Sequence, residues 1–145
     1  MSETDATKAG KTFPLGMGRS APVGKKILIC DDEKTVVDFL ALFLKKEGFP
    51  DVDIAHEASA ALEKIKNTSY NLVLLDIKLP GMDGIQALQE IKTIKPGLDV
   101  IMITGYPDVD TAEQAVQLGA YDYIVKPFDL AYFKLAILTK LLLDS

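Results

Sequence analysis

The stretch Leu72–Gly84 reads LVLLDIKLPGMDG, and it decides the fold of this chain. Its first four residues, LVLL, are typical of a strand that is buried on both faces. They run directly into a carboxylate, Asp76, and then into a turn rich in Pro and Gly. An ionised carboxylate at the edge of an apolar core costs several kcal/mol unless something pairs with it. This cost indicates that the charge of Asp76 has a chemical use.

The composition of the chain limits the classes of protein to which it can belong. Its 145 residues, 48% hydrophobic and 26% charged, suit one globular domain. The net charge of −5 argues against nucleic-acid binding by this chain, and no apolar run approaches the length of a membrane span. With one cysteine, Cys30, and no apolar signal-peptide core at the N-terminus, we expect a reducing, cytoplasmic location.

The chain divides into a tail and one domain. Residues 1–24 are rich in Gly and Pro and have little apolar periodicity, so we predict a flexible tail there and a domain over residues 25–145. The segments predicted as strands are KILIC, VDIA, LVLL, DVIMIT and YDYIV, and those predicted as helices are EKTVVDFLALFLKKEG, EASAALEKIKN, GIQALQEIKTI, VDTAEQAVQLG and DLAYFKLAILTKLLLD. In the first helix Val36, Phe39, Leu40 and Phe43 recur at helical spacing. Strict alternation of strand and helix predicts a doubly wound α/β fold with a five-stranded parallel sheet.

Polar side chains follow four of the predicted strands at the point where each strand ends. Asp31 and Asp32 follow the first strand, Asp76 ends the third, Thr104 ends the fourth and Lys126 follows the fifth. The carboxyl ends of parallel strands meet at one edge of such a sheet, where ligands bind. Three acids at one edge repel each other, and Mg²⁺ resolves such repulsion because it prefers carboxylates, waters and phosphate oxygens.

Each of these residues also has a simpler interpretation. Asp31 or Asp32 alone suits a helix N-cap, Lys126 suits a surface lysine, and Thr104 suits a β-branched strand end. With His56 as the one histidine, a zinc site or a Cys–His nucleophile pair has almost no support. The ordered set, rather than any single residue, therefore carries the prediction.

As a set, these motifs resemble the receiver domain of bacterial two-component response regulators over about residues 25–143. The matching segments are ILICDDE, LVLLDIKLPGMDG, MITG and GAYDYIVKPFD. Thr104 and Lys126 follow Asp76 by 28 and 50 residues, as in regulators of the nitrogen-regulation type. The resemblance implies a flavodoxin-like (β/α)5 fold with strand order 2-1-3-4-5.

The resemblance also implies a phosphoryl-transfer site. Asp76 would be the phosphoacceptor, and Mg²⁺, or Mn²⁺ in its place, would be bound directly by Asp32, through a water by Asp31, and by the backbone carbonyl of Lys78. In phosphoryl transfer a protein mainly positions the reacting groups and neutralises their charge, so this set of acids and cations suits the chemistry. The implied donor is a sensor histidine kinase or a phosphotransfer protein, and the implied role is signalling, with no enzyme activity beyond the domain's own phosphorylation and dephosphorylation.

Further roles follow from the same resemblance. Thr104 would hydrogen-bond the phosphoryl group, and Lys126 would pair with one of its oxygens, with the Lys126–Pro127 bond in the cis form. Tyr123 would be the switch aromatic of a face made by helix four, strand five and helix five. Lys78 and Tyr106 would border the route of a hydrolytic water.

The last predicted helix is apolar on nearly all sides. A helix that packs on one face of a sheet needs one apolar stripe. The residues that can supply this stripe are Phe133, Ala136, Ile137 and Leu141. The residues left without an evident place in the core are Leu130, Leu135, Leu138 and Leu142. We therefore expect homodimerisation, or docking to an output segment, through this helix.

Three other functions are compatible with a sheet of this kind. A metal-dependent phosphohydrolase with an aspartyl nucleophile generally has a second Asp two residues after the first, where this chain has Lys78. A flavin carrier needs a Gly/Ser/Thr phosphate loop after the first strand, where this chain has the acidic CDDEKT. A receiver-like binding module that works without phosphorylation needs none of the site residues, whereas this chain has all five of them, so this alternative lacks motivation.

Overall fold

The computed structural model describes residues 24–105, 107–127 and 129–143, so the predicted tail lies outside the described residues except for Gly24. The elements in chain order are β1 (Ile27–Cys30), α1 (Lys34–Lys46), β2 (Val52–Ala55), α2 (Ala58–Asn67), β3 (Leu72–Asp76), β4 (Lys78–Leu79), β5 (Met82–Asp83), α3 (Gly84–Ile94), β6 (Asp99–Thr104), α4 (Val109–Gln117), β7 (Asp122–Val125) and α5 (Leu130–Leu143). Each predicted helix and strand is present, which confirms the predicted alternation.

Five parallel strands form one sheet in the order β2-β1-β3-β6-β7. When only the strands of this sheet are counted, the order is 2-1-3-4-5, as predicted. The two remaining strands, β4 and β5, pair antiparallel in a short hairpin between β3 and α3. The sequence interpretation treated this hairpin as a simple turn.

Two apolar layers cover the two faces of the sheet. Along β3, Leu72 and Leu74 belong to the layer that includes α1 and α5, whereas Val73 and Leu75 belong to the layer that includes α2, α3 and α4. Successive side chains of a strand point to opposite faces, so a strand covered on both sides must be apolar at every position. This requirement explains the continuous LVLL run and the doubly wound architecture.

The apolar residues whose spacing predicted α1 are not all on its buried face: Leu40 is buried, and Val36 is partly buried against the core. The buried residues of α1 are Val37, Leu40 and Leu44, whereas Phe39 is 40% exposed. Phe43 is partly buried and packs against Phe133 of α5, with 5.3 Å between ring centroids. Two apolar stripes one residue apart both have helical spacing, and packing against α5 and the sheet decides which of them faces inward.

The buried stripe of α5 agrees with the prediction. Phe133, Ile137 and Leu141 are buried, and Ala136 is partly buried against the same layer. The predicted outward residues that are exposed are Leu130, Leu135 and Leu142. The prediction is wrong for Leu138, which is half-buried against the core. Neither α5 nor any other helix within the described ranges is long and apolar enough to cross a membrane.

Candidate functional site

The parallel strands bring the predicted polar residues to one edge of the sheet. β1, β3, β6 and β7 are neighbours in the sheet, and Asp31, Asp76, Thr104 and Lys126 lie at their carboxyl ends. The Lys126 amide donates to the Thr104 carbonyl at 2.7 Å, which continues the β6–β7 pairing one residue beyond β7. The predicted clustering follows directly from the strand order.

Three carboxylates form the acidic part of the site. Asp31, Asp32 and Asp76 each offer an oxygen, and these oxygens lie within 4.8 Å of one another. Asp31 and Asp76 are only 2% and 4% exposed, whereas Asp32 faces solvent. Two buried anions and a third beside them, all hard oxygen donors, fit a small divalent cation such as Mg²⁺ with open positions for water. Neither Asp31 nor Asp32 is the N-cap of α1, because that position belongs to Glu33.

Lys126 supplies the positive charge of the site. Its Nζ lies 2.9 Å from Asp31, 2.9 Å from Glu33 and 3.4 Å from Asp76, and its side chain is 14% exposed. Burial lowers the pKa of Lys126, but the hydrogen bonds to Glu33 and Asp31 and the charge of Asp76 outweigh burial and raise it above its usual value. The ammonium therefore stays charged. The Lys126–Pro127 peptide bond is cis, as expected.

The Asp76 carboxyl keeps a raised pKa despite this ammonium. Burial and the negative charge of Asp31 raise the pKa of Asp76 to about 6, against the opposing effects of the Lys78 amide and Lys126. The two shifts differ because Lys126 shares its charge among three acids, whereas Asp76 bears the cost of its own burial. At neutral pH Asp76 is therefore still mostly ionised.

The β4–β5 hairpin holds Lys78 beside the acid cluster. The Lys78 amide donates to Asp76 Oδ1 at 3.2 Å, and the Gly84 amide donates to the Ile77 carbonyl at 2.8 Å. A Cβ on Gly84 would lie 2.5 Å from the Ile77 Cα, so only glycine allows the start of α3 to approach so closely. The turn itself uses Gly81 at φ +83°, a left-handed conformation that favours glycine. These contacts fix the segment that carries the Lys78 carbonyl.

The site opens into a cavity of about 790 Å³. Its polar side is lined by Asp32, Glu33, Asp76, Lys78 and Lys126, and its apolar side by Val36, Phe39, Pro127 and Leu130. The exposed face of α1 and the start of α5 thus form an apolar border beside the carboxylates. The cavity therefore offers both charged and apolar surface to a ligand.

Tyr123 lies outside this cavity. It is on the edge strand β7, in register with Met102, and packs against the layer formed with α2, α3 and α4. Its hydroxyl is buried and has no hydrogen-bond partner among the described residues. A second predicted neighbour of the site, Tyr106, lies outside the described residues.

Two residues near the site escaped the sequence interpretation. Glu33 contacts the Lys126 ammonium, and the Nδ1 atom of His56 lies 3.2 Å from the Asp31 carbonyl oxygen. Glu33 directly follows the acid pair in CDDEKT, and this position could have identified it as a neighbour of the site. His56 follows β2, which borders β1 in the sheet, so only the strand order brings it to this edge.

Comparisons with known proteins identify relatives of this chain. A family model described as the response regulator receiver domain matches residues 27–138. The chain is 40% identical to the transcriptional regulatory protein ZraR of Klebsiella oxytoca over 111 residues, which cover 77% of this chain and 25% of that protein. The chain thus spans about a quarter of that regulator's length. It is 36% identical to the sporulation initiation phosphotransferase F of Bacillus subtilis over 85% of this chain and 98% of that protein.

A solved structure agrees with both. The solution structure of the beryllofluoride-activated NtrC4 receiver domain dimer superposes with a TM-score of 0.76 at 35% identity, over 83% of this chain and 98% of that one. The family match covers most of the chain, and the matched fold is the one built here from the strand order. The chain therefore belongs to the response regulator receiver domain family, the phosphoacceptor domains of two-component signalling systems.

Proposed function

We propose that Asp76 is the residue of this receiver domain that accepts the phosphoryl group. The observation that carries the proposal is the position of its carboxylate, which is buried at the end of β3, beside two other aspartates and 3.4 Å from the Lys126 ammonium. Among the three clustered acids, Asp76 alone is both buried and part of the wall of the cavity. An anion in such a position is costly, and a role as the acceptor accounts for its presence there.

The reaction is a displacement at phosphorus. An Asp76 carboxylate oxygen attacks the phosphorus of a phosphohistidine on a sensor kinase or a phosphotransfer protein. The O–P bond forms as the P–N bond breaks, and the imidazole nitrogen keeps the electron pair. Lys126 neutralises charge on the transferring oxygens, and the apolar border formed by Phe39 and Leu130 suits a donor carried by a protein.

The carboxylates of Asp31, Asp32 and Asp76 and the backbone carbonyl of Lys78 would hold Mg²⁺, or Mn²⁺ in its place. When bound, this ion supplies charge neutralisation at the phosphoryl oxygens. The protein's part is to keep the donors within reach of one another, which it does through neighbouring strands and the β4–β5 hairpin. The role of the domain is signalling, and its only chemistry is its own phosphorylation and dephosphorylation.

Phosphorylation would be transmitted through Thr104 and Tyr123. Thr104 ends β6, next to β3, so its hydroxyl can bond a phosphoryl group on Asp76. A shift of Thr104 changes the space beside β7, where the buried Tyr123 hydroxyl has no hydrogen-bond partner among the described residues. An unpaired buried hydroxyl costs about 1–3 kcal/mol, so a second conformation in which the hydroxyl is hydrogen-bonded would be close in free energy to this one. The two states would differ on the face formed by α4, β7 and α5.

Incubation with acetyl phosphate and Mg²⁺ tests the acceptor. We expect the intact mass to rise by one phosphoryl group in the wild type and to stay unchanged in Asp76→Asn, since the nearly isosteric amide is no nucleophile here. Asp38→Asn, which removes an exposed carboxylate on α1, is the matched control and should label normally. Full labelling of Asp76→Asn would refute the assignment.

The same assay separates the alternative functions. Multiple turnover of assorted phosphate esters would favour an aspartyl phosphohydrolase. A chain that forms no adduct with any small phosphodonor, while remaining folded, would favour a binding module that works without phosphorylation.

The output surface would be the exposed side of α5 with β7 and α4. Leu130, Leu135 and Leu142 are exposed there, as is Val125 of β7. The similar NtrC4 receiver domain is described as a dimer in its beryllofluoride-activated form. By that likeness, this face would mediate a homodimer or contact an output segment, and phosphorylation would strengthen the contact.

Sedimentation tests this surface. Wild type should associate more strongly with beryllofluoride than without it, and Leu135→Glu should prevent the association because its side chain is 65% exposed in α5. Gln86→Glu, which adds the same charge at an exposed position of α3, is the matched control. If the wild type and both variants sediment as the same monomer in all conditions, self-association through α5 is wrong.

A further inference from the structure

The Lys126 ammonium is shared by three carboxylates. It has three N–H donors, and its Nζ lies 2.9 Å from Asp31, 2.9 Å from Glu33 and 3.4 Å from Asp76. The shortest contacts are therefore made with two residues other than the proposed acceptor. A phosphoryl group on Asp76 therefore takes over only the longest of the three contacts, and a closer approach of the ammonium requires Asp31 or Glu33 to release it.

Glu33 differs from the other two acids in its surroundings. Its side chain is 58% exposed, and it is not one of the three carboxylates that cluster within 4.8 Å. It is the N-cap residue of α1, yet its side chain makes no capping hydrogen bond. Neither the acid cluster nor the helix end therefore requires the Glu33 carboxylate at this point.

Binding of a cation at the site would change the attraction of Lys126 to each of the three acids by a different amount. When Asp31 and Asp76 hold a cation together with Asp32, part of their charge is neutralised and their attraction for the ammonium weakens. Glu33 is outside that cluster and keeps its full charge. Glu33 is thus the remaining competitor of the phosphoryl oxygens for Lys126.

We propose that Glu33 is a positioning residue that draws Lys126 away from the phosphoryl group and so slows phosphoryl uptake by Asp76. This inference depends on the proposed function of Asp76 and adds a restraint on its rate. Because the Glu33 side chain is exposed, it can turn into solvent at little cost. Its effect is therefore a modest decrease in the rate of phosphoryl uptake.

The test compares Glu33→Gln with the wild type in the rate of labelling by acetyl phosphate and Mg²⁺. We expect the second-order rate constant to rise about two- to fivefold, the range that corresponds to loss of a solvent-exposed ion pair. Asp38→Asn removes the same charge from α1 but pairs with Lys34, so it is the matched control and should label at the wild-type rate. An equal rise of the rate constant in both variants would show that the change in net charge causes it, and would overturn the proposal.

A metal-free crystal structure of Glu33→Gln provides the second readout. The distance from Lys126 Nζ to Asp76 Oδ2, 3.4 Å in the wild type, should shorten because the ammonium loses one of its two closest partners. An unchanged Lys126 would contradict the mechanism. If the wild type takes up no label, the proposed function of Asp76 fails. If the wild type labels and Glu33→Gln labels no faster, only the role of Glu33 fails.

Discussion

The substitution Asp76→Asn should stabilise the metal-free protein at neutral pH. The pKa of Asp76 is about 6 in the folded chain, against an ordinary value of 3.8. Because the folded state binds the proton more tightly than the unfolded state, the contribution of this group to stability is full below about pH 4. It is lost as the pH rises through about 6. Each pKa unit corresponds to about 1.4 kcal/mol, so ionised Asp76 costs about 3 kcal/mol at pH 7.

The asparagine variant avoids this cost. The amide oxygen still accepts from the Lys78 amide, and Lys126 keeps Asp31 and Glu33 as partners, so no charge is left unpaired. Urea unfolding at pH 7 should therefore show a gain of about 2–3 kcal/mol in the free energy of unfolding, or about 5–10 °C in melting temperature. Near pH 4 the gain should vanish because the wild-type carboxyl is protonated.

Asp38→Asn is the control for this measurement. It removes an exposed carboxylate paired with Lys34 at i, i+4, so we expect a change within about 0.5 kcal/mol at any pH. The reasoning is refuted if Asp76→Asn is no more stable than the wild type at pH 7. It is equally refuted if its gain is the same at pH 4 as at pH 7, since a packing effect would not depend on protonation.

Three further outcomes follow from the same geometry. Millimolar Mg²⁺ should raise the melting temperature of the wild type but not of Asp32→Ala, and equal shifts in both would count against a cation at the acid cluster. Tyr123→Phe should raise the free energy of unfolding by about 1 kcal/mol, because it removes a buried hydroxyl that has no hydrogen-bond partner in the described part of the chain. A loss of stability in urea unfolding would show instead that the hydroxyl is paired. Gly84→Ala should destabilise the fold by at least about 2 kcal/mol, because its Cβ would lie 2.5 Å from the Ile77 Cα, and near wild-type unfolding would show that the hairpin shifts freely.

Much of the fold was accessible from local sequence patterns. The continuous apolar run Leu72–Leu75 is typical of a strand covered on both faces, and the helices between such strands supply that cover. The strand ends then determine which polar residues share an edge, so the meeting of Asp31, Asp76 and Lys126 was predictable from their positions alone. The β4–β5 hairpin was missed because two-residue strands are too short to show periodicity.

The sequence by itself determined the parallel sheet and the residues at its carboxyl edge, because strand burial and chain alternation are local properties. The tertiary structure alone decided the rest. The rotation of α1 that buries Val37 and exposes Phe39 depends on packing against the sheet and α5. The partial burial of Leu138 in α5 likewise depends on packing against that core layer. The division of the Lys126 charge among Asp31, Glu33 and Asp76 depends on distances across three strand ends, which no pattern within one segment encodes.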